Sequence, residues 1–182
     1  MINLHKNPVQ NFHKKINTAF LGIGTNKGNR EKNIDHAIKL LGFNKDIKII
    51  KVSKLLKNPP QEGIKNGYFL NGAIKVRTSL DPIELLNYCK KTEVRLGRRN
   101  KIKKNNHAKK INKPRIIDLD LLFYENKIIE TDELQIPHLR LHKRYFVMIP
   151  LLELEPEFIH PVFKKSLKKL YFELLSKEKL YA

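Results

Sequence analysis

Several stretches of the chain alternate hydrophobic and polar residues with a period of two, which is typical of strands that bury one face. In the clearest of them, residues 68–77, Leu70 and Ile74 project from one face, whereas Phe69 and Asn71 project from the other. Less regular patterns predict three further strands, at residues 17–24, 47–56 and 114–124.

Hydrophobic residues recur at helical spacing in four other places. The predicted helices cover residues 29–41, 81–97, 144–148 and 166–180. Asp81 and Pro82 open the second helix as cap and first helical residue, and Gly97 ends it. Pro150 is predicted to end the third helix, because proline has no N–H to donate. Residues 125–127 predict a turn, and residues 128–129 the return strand of a hairpin.

Up to residue 124 the predicted order is strand, helix, strand, strand, helix, strand. This order favours an α+β fold, a ferredoxin-like α/β sandwich with a mainly antiparallel sheet, helices on one face and an extra C-terminal helix. The other face of the sheet would then be free for ligands. Residues 1–16 are polar and lack a period, which predicts a disordered N-terminal extension before a single domain at 17–182.

The net charge adds information at one segment only. The chain has 37 Lys and Arg against 18 Asp and Glu, a formal charge of +19, but lysine is abundant everywhere, including the predicted helices. The overall charge therefore does not by itself favour a nucleic-acid partner. Residues 98–115, in contrast, contain nine Lys or Arg and no acid, which predicts a mobile basic loop leading into the strand at 114–124.

Cysteine content and hydropathy bear on the compartment. Cys89 is the only cysteine, so there is no disulfide framework and a reducing compartment is expected. No run of about 18 apolar residues occurs, and the first ten residues lack the apolar segment of a signal peptide. We therefore expect a cytoplasmic protein without a membrane partner.

The strand at 114–124 carries the strongest chemical signal. Side chains alternate along a strand, so Asp118 and Asp120 project from the same face. Two ionised carboxylates at this spacing repel each other unless a cation compensates them, and Mg²⁺ prefers oxygen ligands. Arg115 precedes the pair, and its guanidinium suits phosphate oxygens. The pattern indicates either a magnesium and phosphate site or a solvated face whose aspartates pair with lysines.

Three weaker signals have local alternatives. Phe69 and Asn71 could stack on and hydrogen-bond a heterocycle, or instead join a second core and satisfy a strand edge. His138 and His142 have a spacing seen in zinc sites, but no third ligand is evident and roles without zinc are favoured. The glycine-rich stretch 22–30 matches no phosphate-binding fingerprint and predicts a tight strand-to-helix turn.

In order and spacing, seven motifs between residues 18 and 161 resemble the 6-hydroxymethyl-7,8-dihydropterin pyrophosphokinase family. They are FLGIGTNKGNR at 20–30, NPP at 58–60, YFLNGA at 68–73, LGR at 96–98, PRIIDLDLLFY at 114–124, IPH at 136–138 and RYFVMIPL at 144–151. The resemblance implies a single pyrophosphokinase domain that transfers pyrophosphate from ATP to a pterin alcohol in folate biosynthesis and releases AMP.

The resemblance also implies roles for particular residues. Asp118 and Asp120 would hold two Mg²⁺ ions that bridge the phosphates of ATP. The residues implied to contact ATP are Arg98, Arg115, His138 and Arg144, and those implied to act in catalysis are Arg98, Arg115, Asp118 and Asp120. The residues implied to bind the pterin are Asn58, Pro59, Phe69, Asn71 and Phe146, with the two aromatic rings stacking on its two faces.

Two other readings compete with this one. A ferredoxin-like sheet with a positive charge could bind RNA. However, the aromatic signature of RNA-recognition modules is absent, and RNA binding does not explain two aspartates on one face of a strand. A weakened homologue would bind ATP without releasing AMP. We expect ATP and the pterin as partners, a monomer, and no nucleic acid.

Overall fold

The computed structural model of the chain describes residues 14–59, 67–98 and 114–179. The expectations for the N-terminal residues 1–13, for the segment 60–66 and for the basic segment 99–113 lie outside these residues. Within the described ranges, no helix is both long enough and apolar enough to cross a membrane.

The described elements follow the predicted order. They are β1 (Asn17–Thr25), α1 (Arg30–Gly42), β2 (Ile47–Val52), β3 (Leu56–Asn58), β4 (Phe69–Thr78), α2 (Pro82–Arg95), β5 (Asp118–Tyr124), β6 (Ile129–Glu130), β7 (Gln135–Ile136), α3 (Tyr145–Leu154) and α4 (Leu167–Lys179). The main sheet has the order β2, β4, β1, β5, with β3 beside β4, and its pairings are antiparallel. This order confirms the predicted ferredoxin-like α+β fold.

The larger core lies between one face of this sheet and the helices α1 and α2. Alternate residues of each strand enter it, such as Leu21 of β1 and Ile74 of β4, and both are fully buried. The N-terminus of α2 has the predicted cap: Asp81 accepts the Glu84 N–H at 2.8 Å, and Glu84 accepts the Asp81 N–H at 2.9 Å. The hydrophobic period and the cap thus place α2 as predicted.

The opposite face of the sheet is only partly free, which differs from the expectation. The helices α3 and α4 cover one half of it and form a second core around Phe20 and Phe123, together with Met148 and Leu151 of α3. The half that stays open lies where β1 ends and where β4 and β5 begin. A ligand on this face is therefore confined to that end of the sheet.

A β-bulge in β5 places Phe123 on the face opposite to the one that simple alternation along the strand predicts. Phe20 pairs with Phe123, but the next residue, Leu21, pairs with Leu121, so Leu122 is an extra residue in β5. Strict alternation would place Phe123 on the same face as Leu121. Because of the extra residue, Phe123 instead packs with Phe20 on the side covered by α3 and α4.

Two further local predictions are wrong. Ile129 does not return along β5, because it pairs with Ile136 in a separate two-stranded sheet. Pro150 does not end the third helix, because α3 continues to Leu154. The lost hydrogen bond and the clash of the proline ring together cost about 3 kcal/mol, and burial of Met148, Pro150 and Leu151 offsets this cost.

His160 accepts hydrogen bonds in the turn before α4, and we expect it to make the free energy of unfolding depend on pH. It is 3% exposed, and its Nδ1 accepts the Val162 and Phe163 N–H groups at 3.2 and 3.3 Å. Burial, and then the neighbouring His142, lowers the pKa of His160 to about 4. Between that value and the ordinary pKa of 6.5 the unfolded chain binds more protons, so this contribution to stability is complete above pH 6.5 and is lost towards pH 4. We expect a loss of about 1 to 3 kcal/mol over this range.

Urea unfolding at pH 7.5 and pH 4.5 measures this effect. In His160→Asn the Oδ1 atom can accept the same two bonds but does not titrate, so its stability should fall less between the two pH values than that of the wild type. An equal fall in both proteins would show that His160 is not the group responsible.

Candidate active site

The carboxylates of Asp118 and Asp120 border a cavity of about 260 Å³ on the open half of the sheet. In the β1–β5 register, Gly24 lies opposite Asp118 and Gly22 opposite Asp120. Glycine has no side chain, so the space above β1 beside the two carboxylates remains open. This confirms that the two aspartates share a face, and it places Gly22 and Gly24 within β1, as the predicted strand at 17–24 implies.

Side chains from four other parts of the chain complete the walls of this cavity. Besides the residues above, the lining includes Asn58, Phe69, Asn71, Arg115, Leu122, His138, Arg140, Arg144, Phe146 and Val147. Asn58 of β3 pairs directly with Phe69 of β4, which brings the carboxamide and the ring to one side of the cavity. Phe146, in the first turn of α3, lines it as well, and the Arg144 guanidinium carbon lies 5.6 Å from its ring centroid.

All the predicted site residues line this cavity except Pro59 and Arg98. Pro59 is exposed, and its carbonyl accepts a hydrogen bond from the Asn58 side chain at 3.0 Å. Arg98 lies outside the lining but its Nη1 is 2.9 Å from Asp118 Oδ1. Arg140 and Val147 line the cavity without having been predicted, since neither stands out in the pattern of its own segment.

The pair of Gly24 and Asn71 shows why glycine is needed in β1. The two residues are partners in the β1–β4 register. A Cβ atom on Gly24 would lie 2.5 Å from Asn71 Oδ1, closer than real Cβ contacts allow. Asn71 is 8% exposed, and its Nδ2 donates a hydrogen bond to Asn58 Oδ1. The absence of a side chain at Gly24 therefore lets the Asn71 carboxamide lie across the strand.

Asp118 and Asp120 differ in their electrostatic surroundings. Asp118 is held by two guanidinium groups: its Oδ2 lies 2.5 Å from Arg115 Nη1 and its Oδ1 lies 2.9 Å from Arg98 Nη1. Burial, and then the neighbouring Asp118, raises the pKa of Asp120, although His138, Arg115 and Arg144 act against this shift. Ionised Asp120 is thus under-compensated and favours a cation beside it.

His138 lies beside β5 because its backbone N–H donates to the Leu122 carbonyl at 3.0 Å. Burial is the main cause that lowers the pKa of His138, so the imidazole is neutral at pH 7. Its Nδ1 accepts the Arg140 N–H at 3.4 Å, which favours the tautomer with a proton on Nε2. A neutral donor at this position can bind a phosphate oxygen without adding to the positive charge.

Glu93 of α2 belongs to the site, and the sequence reasoning missed it. It is 4% exposed, its Oε1 accepts the Leu119 N–H at 2.8 Å between the two aspartates, and it also pairs with Arg98. Burial raises the pKa of Glu93 to about 7, with the Leu119 and Arg98 contacts acting in the opposite direction. Leu85, Cys89 and Glu93 are spaced four apart and therefore lie on the buried face of α2. An acidic residue at a buried helix position is the sequence signal that could have indicated Glu93.

A second cavity of about 510 Å³ adjoins the first. Asp120, His138 and Arg140 line both cavities. The other residues of the second cavity are Leu86, Leu121, Thr131, Asp132, Glu133, Leu134, Gln135 and Leu139. A ligand with a charged middle and two dissimilar ends could extend through both cavities past the three shared side chains.

The donor set of Asp118 and Asp120 fits Mg²⁺. Both side chains offer hard carboxylate oxygens, and burial beside Asp118 disfavours ionised Asp120 unless a cation compensates its charge. In the part of the chain that the structure describes, no group of three or more His, Cys, Asp or Glu side chains forms a complete metal cluster. Mg²⁺ suits this arrangement, because it usually takes one or two carboxylates and completes its shell with water and phosphate oxygens.

Comparisons with known proteins agree on one family. The family model of 7,8-dihydro-6-hydroxymethylpterin-pyrophosphokinase (HPPK) matches residues 20–156. The 2-amino-4-hydroxy-6-hydroxymethyldihydropteridine pyrophosphokinase of Aquifex aeolicus is 40% identical over 152 residues, covering 84% of this chain and 89% of the relative. The enzyme of the same name from Bacillus subtilis is 35% identical over 138 residues, covering 76% of this chain and 78% of the relative.

The solved structures that are similar show the same fold. A crystal structure of Plasmodium falciparum HPPK-DHPS superposes with a TM-score of 0.69 at 18% identity and covers 97% of this chain. This chain spans only 48% of that longer chain. At this identity the superposition supports the architecture alone.

Proposed function

The chain belongs to the 7,8-dihydro-6-hydroxymethylpterin-pyrophosphokinase family, and we propose that its two adjoining cavities are the pterin and ATP sites of that reaction. The chain transfers pyrophosphate from ATP to 6-hydroxymethyl-7,8-dihydropterin in folate biosynthesis, giving the pterin diphosphate and AMP. The assignment of the individual residues to the two substrates is the proposal.

The observation that carries this assignment is the position of the aspartate pair. Asp118 and Asp120 lie in the same cavity as an aromatic and carboxamide wall, and Asp120 also lines the second cavity. The triphosphate of ATP would therefore bind near the two carboxylates, through Mg²⁺. It would lie between two cavities, each of which can hold a ring system. The solvated-face alternative for the aspartates is disfavoured, because both line a cavity and, among the residues that the structure describes, Asp118 pairs with two arginines and not with surface lysines.

We assign the pterin to the smaller cavity. Phe69 and Phe146 supply aromatic rings on its walls, and Asn71, with Asn58 beside it, offers amide donors and acceptors to the edge of a heterocycle. Pro59 would act at the rim, next to the segment 60–66. Phe69 lines the cavity and is outside both hydrophobic cores. This position favours the hypothesis that Phe69 stacks on a heterocycle over the hypothesis that it belongs to a second core.

We assign the triphosphate of ATP to the boundary between the cavities and its nucleoside to the larger one. Arg115 and Arg144 line the boundary on the side of the smaller cavity, and His138 lines both. Arg98 reaches the same place through its contact with Asp118. In the larger cavity, Leu86, Leu121 and Leu134 offer apolar side chains to a base, and Gln135 offers polar groups to a sugar.

The proposed chemistry depends on position and charge. The hydroxymethyl oxygen of the pterin attacks the β-phosphorus of ATP, a new P–O bond forms, and the bond to the α-phosphate oxygen breaks to release AMP. Phe69, Phe146 and Asn71 orient the attacking hydroxyl, and Arg98, Arg115 and Arg144 balance charge on the phosphoryl oxygens. When bound, two Mg²⁺ ions on Asp118 and Asp120 would neutralise phosphate charge and favour loss of the hydroxyl proton.

Three broader expectations also remain proposals. We propose that residues 17–182 act as one domain, that the protein is monomeric, and that it works in the cytoplasm. The last is supported by Cys89, which is a free, buried thiol.

The function is tested by AMP release from ATP and Mg²⁺, with and without 6-hydroxymethyl-7,8-dihydropterin. We expect AMP only when the pterin is present. We also expect Phe69→Leu to raise the KM for the pterin about tenfold, because a stacking ring is lost, while the KM for ATP stays unchanged.

The matched control is Phe172→Leu on α4, where the ring is 56% exposed and lines neither cavity. It should leave both KM values unchanged. AMP release that does not require the pterin would contradict the function itself. An unchanged KM in Phe69→Leu, with normal turnover in the wild type, would contradict only the assignment of the pterin cavity.

A further inference from the structure

Asn26, just after β1, makes two hydrogen bonds to the backbone of Arg115. Its N–H donates to the Arg115 carbonyl at 3.1 Å, and its side-chain Oδ1 accepts the Arg115 N–H at 2.6 Å. We propose that Asn26 is a positioning residue for pyrophosphoryl transfer, which acts by fixing the backbone from which Arg115 reaches the phosphates. The inference rests on the proposed role of Arg115 in the function above.

Arg115 needs such support because no regular element holds it. It precedes β5, which begins at Asp118, and it follows the segment 99–113. Its guanidinium lines the smaller cavity and contacts Asp118 Oδ2 at 2.5 Å. A guanidinium recognises phosphate through a fork of N–H donors, so a small rotation of its backbone would move the donors out of line.

Asn26 supplies what a neighbouring strand would supply. A paired strand residue offers one donor and one acceptor, and Asn26 offers the donor from its backbone and the acceptor from its side chain. The hydroxyl of Thr25 adds a longer contact to the same Arg115 carbonyl, at 3.5 Å. Both polar backbone groups of Arg115 are thereby satisfied outside any ladder.

Asn26 is itself fixed by Arg30, which links it to the pterin wall. The Arg30 Nη2 donates to the Asn26 carbonyl at 3.3 Å, and its Nε donates to the Tyr68 carbonyl at 3.0 Å. The Arg30 guanidinium carbon also lies 4.2 Å from the centroid of the Tyr68 ring. Tyr68 immediately precedes Phe69, so Asn26 holds Arg115 in a fixed relation to the proposed pterin platform.

The test compares three variants by kcat, KM and melting temperature. Asn26→Ala removes the side-chain acceptor and is expected to lower kcat about tenfold, the size of effect of one hydrogen bond. Asn26→Asp keeps an acceptor oxygen and should retain most of the activity. The control Asn33→Ala removes a 2.8 Å hydrogen bond to the Lys27 carbonyl in the same loop, without touching Arg115, and should leave kcat unchanged.

A double-mutant cycle shows whether Asn26 acts through Arg115. In an Arg115→Ala background, adding Asn26→Ala should lower kcat by less than twofold, because the group being positioned is already absent. An undiminished tenfold loss in that background would overturn the proposal. So would a fall in melting temperature with kcat unchanged, since that is the result of a purely structural role.

Amide hydrogen exchange gives a readout that does not depend on activity. The Arg115 amide should be protected in the wild type and in Asn26→Asp, and should exchange faster in Asn26→Ala. Equal exchange in the wild type and Asn26→Ala would overturn the link between the two residues, whatever the activity. If exchange behaves as expected but Arg115→Ala alone has normal kcat, the proposed role of Arg115 is wrong, and with it the catalytic part of this inference.

Discussion

Asp120→Asn is expected to lower kcat by about 10³-fold or more, and Asp118→Asn to have a similar effect. A carboxylate that holds Mg²⁺ against the phosphates acts on charge in the transition state, and a neutral amide of the same shape retains little of that effect. Binding of ATP by the arginines and of the pterin by the aromatic wall should survive in part. The loss should therefore be larger in kcat than in either KM.

The stability of Asp120→Asn separates this explanation from a damaged fold. Because the pKa of Asp120 is raised, its stabilising contribution is complete below the ordinary pKa of 3.8 and is lost as the pH rises through the higher value in the folded state. Removing the charge should therefore leave the melting temperature at pH 7.5 unchanged or higher when Mg²⁺ is absent. Asp35→Asn on α1, which is exposed and lines neither cavity, is the matched control and should change neither quantity.

The measurement is AMP release under saturating ATP, Mg²⁺ and pterin, with the melting temperature recorded on the same preparations. A loss of activity accompanied by an equal loss of folded protein would contradict a role in catalysis. A nearly normal kcat in Asp120→Asn would contradict the assignment of the carboxylate pair as Mg²⁺ ligands.

Gly24→Ala is expected to raise the KM for the pterin about 10- to 100-fold. The new methyl group would overlap Asn71 Oδ1, which lies 2.5 Å from the Cβ position, and Asn71 is too short and too buried to move far. The carboxamide must turn away, break its bond to Asn58 and leave polar edges of the pterin unpaired, at a cost of about 1–3 kcal/mol. The KM for ATP should change little.

Gly22→Ala provides the matched control in the same strand. A Cβ there would meet Leu122 at 3.4 Å, close to an ordinary van der Waals contact, and would not touch Asn71. Initial rates at varied pterin concentration should show a clearly smaller rise in KM than for Gly24→Ala. Equal changes in the two variants would mean that any methyl group on this strand is harmful, and would remove the specific role of the contact between Gly24 and Asn71.

The sequence allowed the central part of the fold to be predicted, because its determinants are local. The period of β4 assigned Leu70 and Asn71 to opposite faces, and Asp81 with Glu84 marked the start of α2. Predictions failed where the outcome depends on which segment a strand pairs with. Nothing near Leu122 in the sequence signals the bulge, which depends on how β5 pairs with β1, and Ile129 finds its partner seven residues later in Ile136.

The candidate site divides in the same way. Alternation placed Asp118 and Asp120 on one face, and the family resemblance singled out Phe69, Asn71 and Phe146, which the structure brings into one cavity. Neither source indicated Glu93, Arg140 or Asn26 as contributors. Glu93 and Asn26 contribute through hydrogen bonds to Leu119 and Arg115, which lie 26 and 89 residues away in the chain. Arg140 contributes because the fold places it in the lining of both cavities.

By itself, the sequence determined the class of fold and the type of chemistry, because hydrophobic period, caps and the spacing of two carboxylates act over a few neighbouring residues. The tertiary structure alone decided which space those groups enclose. It leaves open only the end of the sheet not covered by α3 and α4, and it lets the Asn71 carboxamide cross a strand at Gly24. It also sets Arg115 against Asn26, 89 residues earlier in the chain. These outcomes depend on packing and hydrogen bonds between distant segments, which no local pattern encodes.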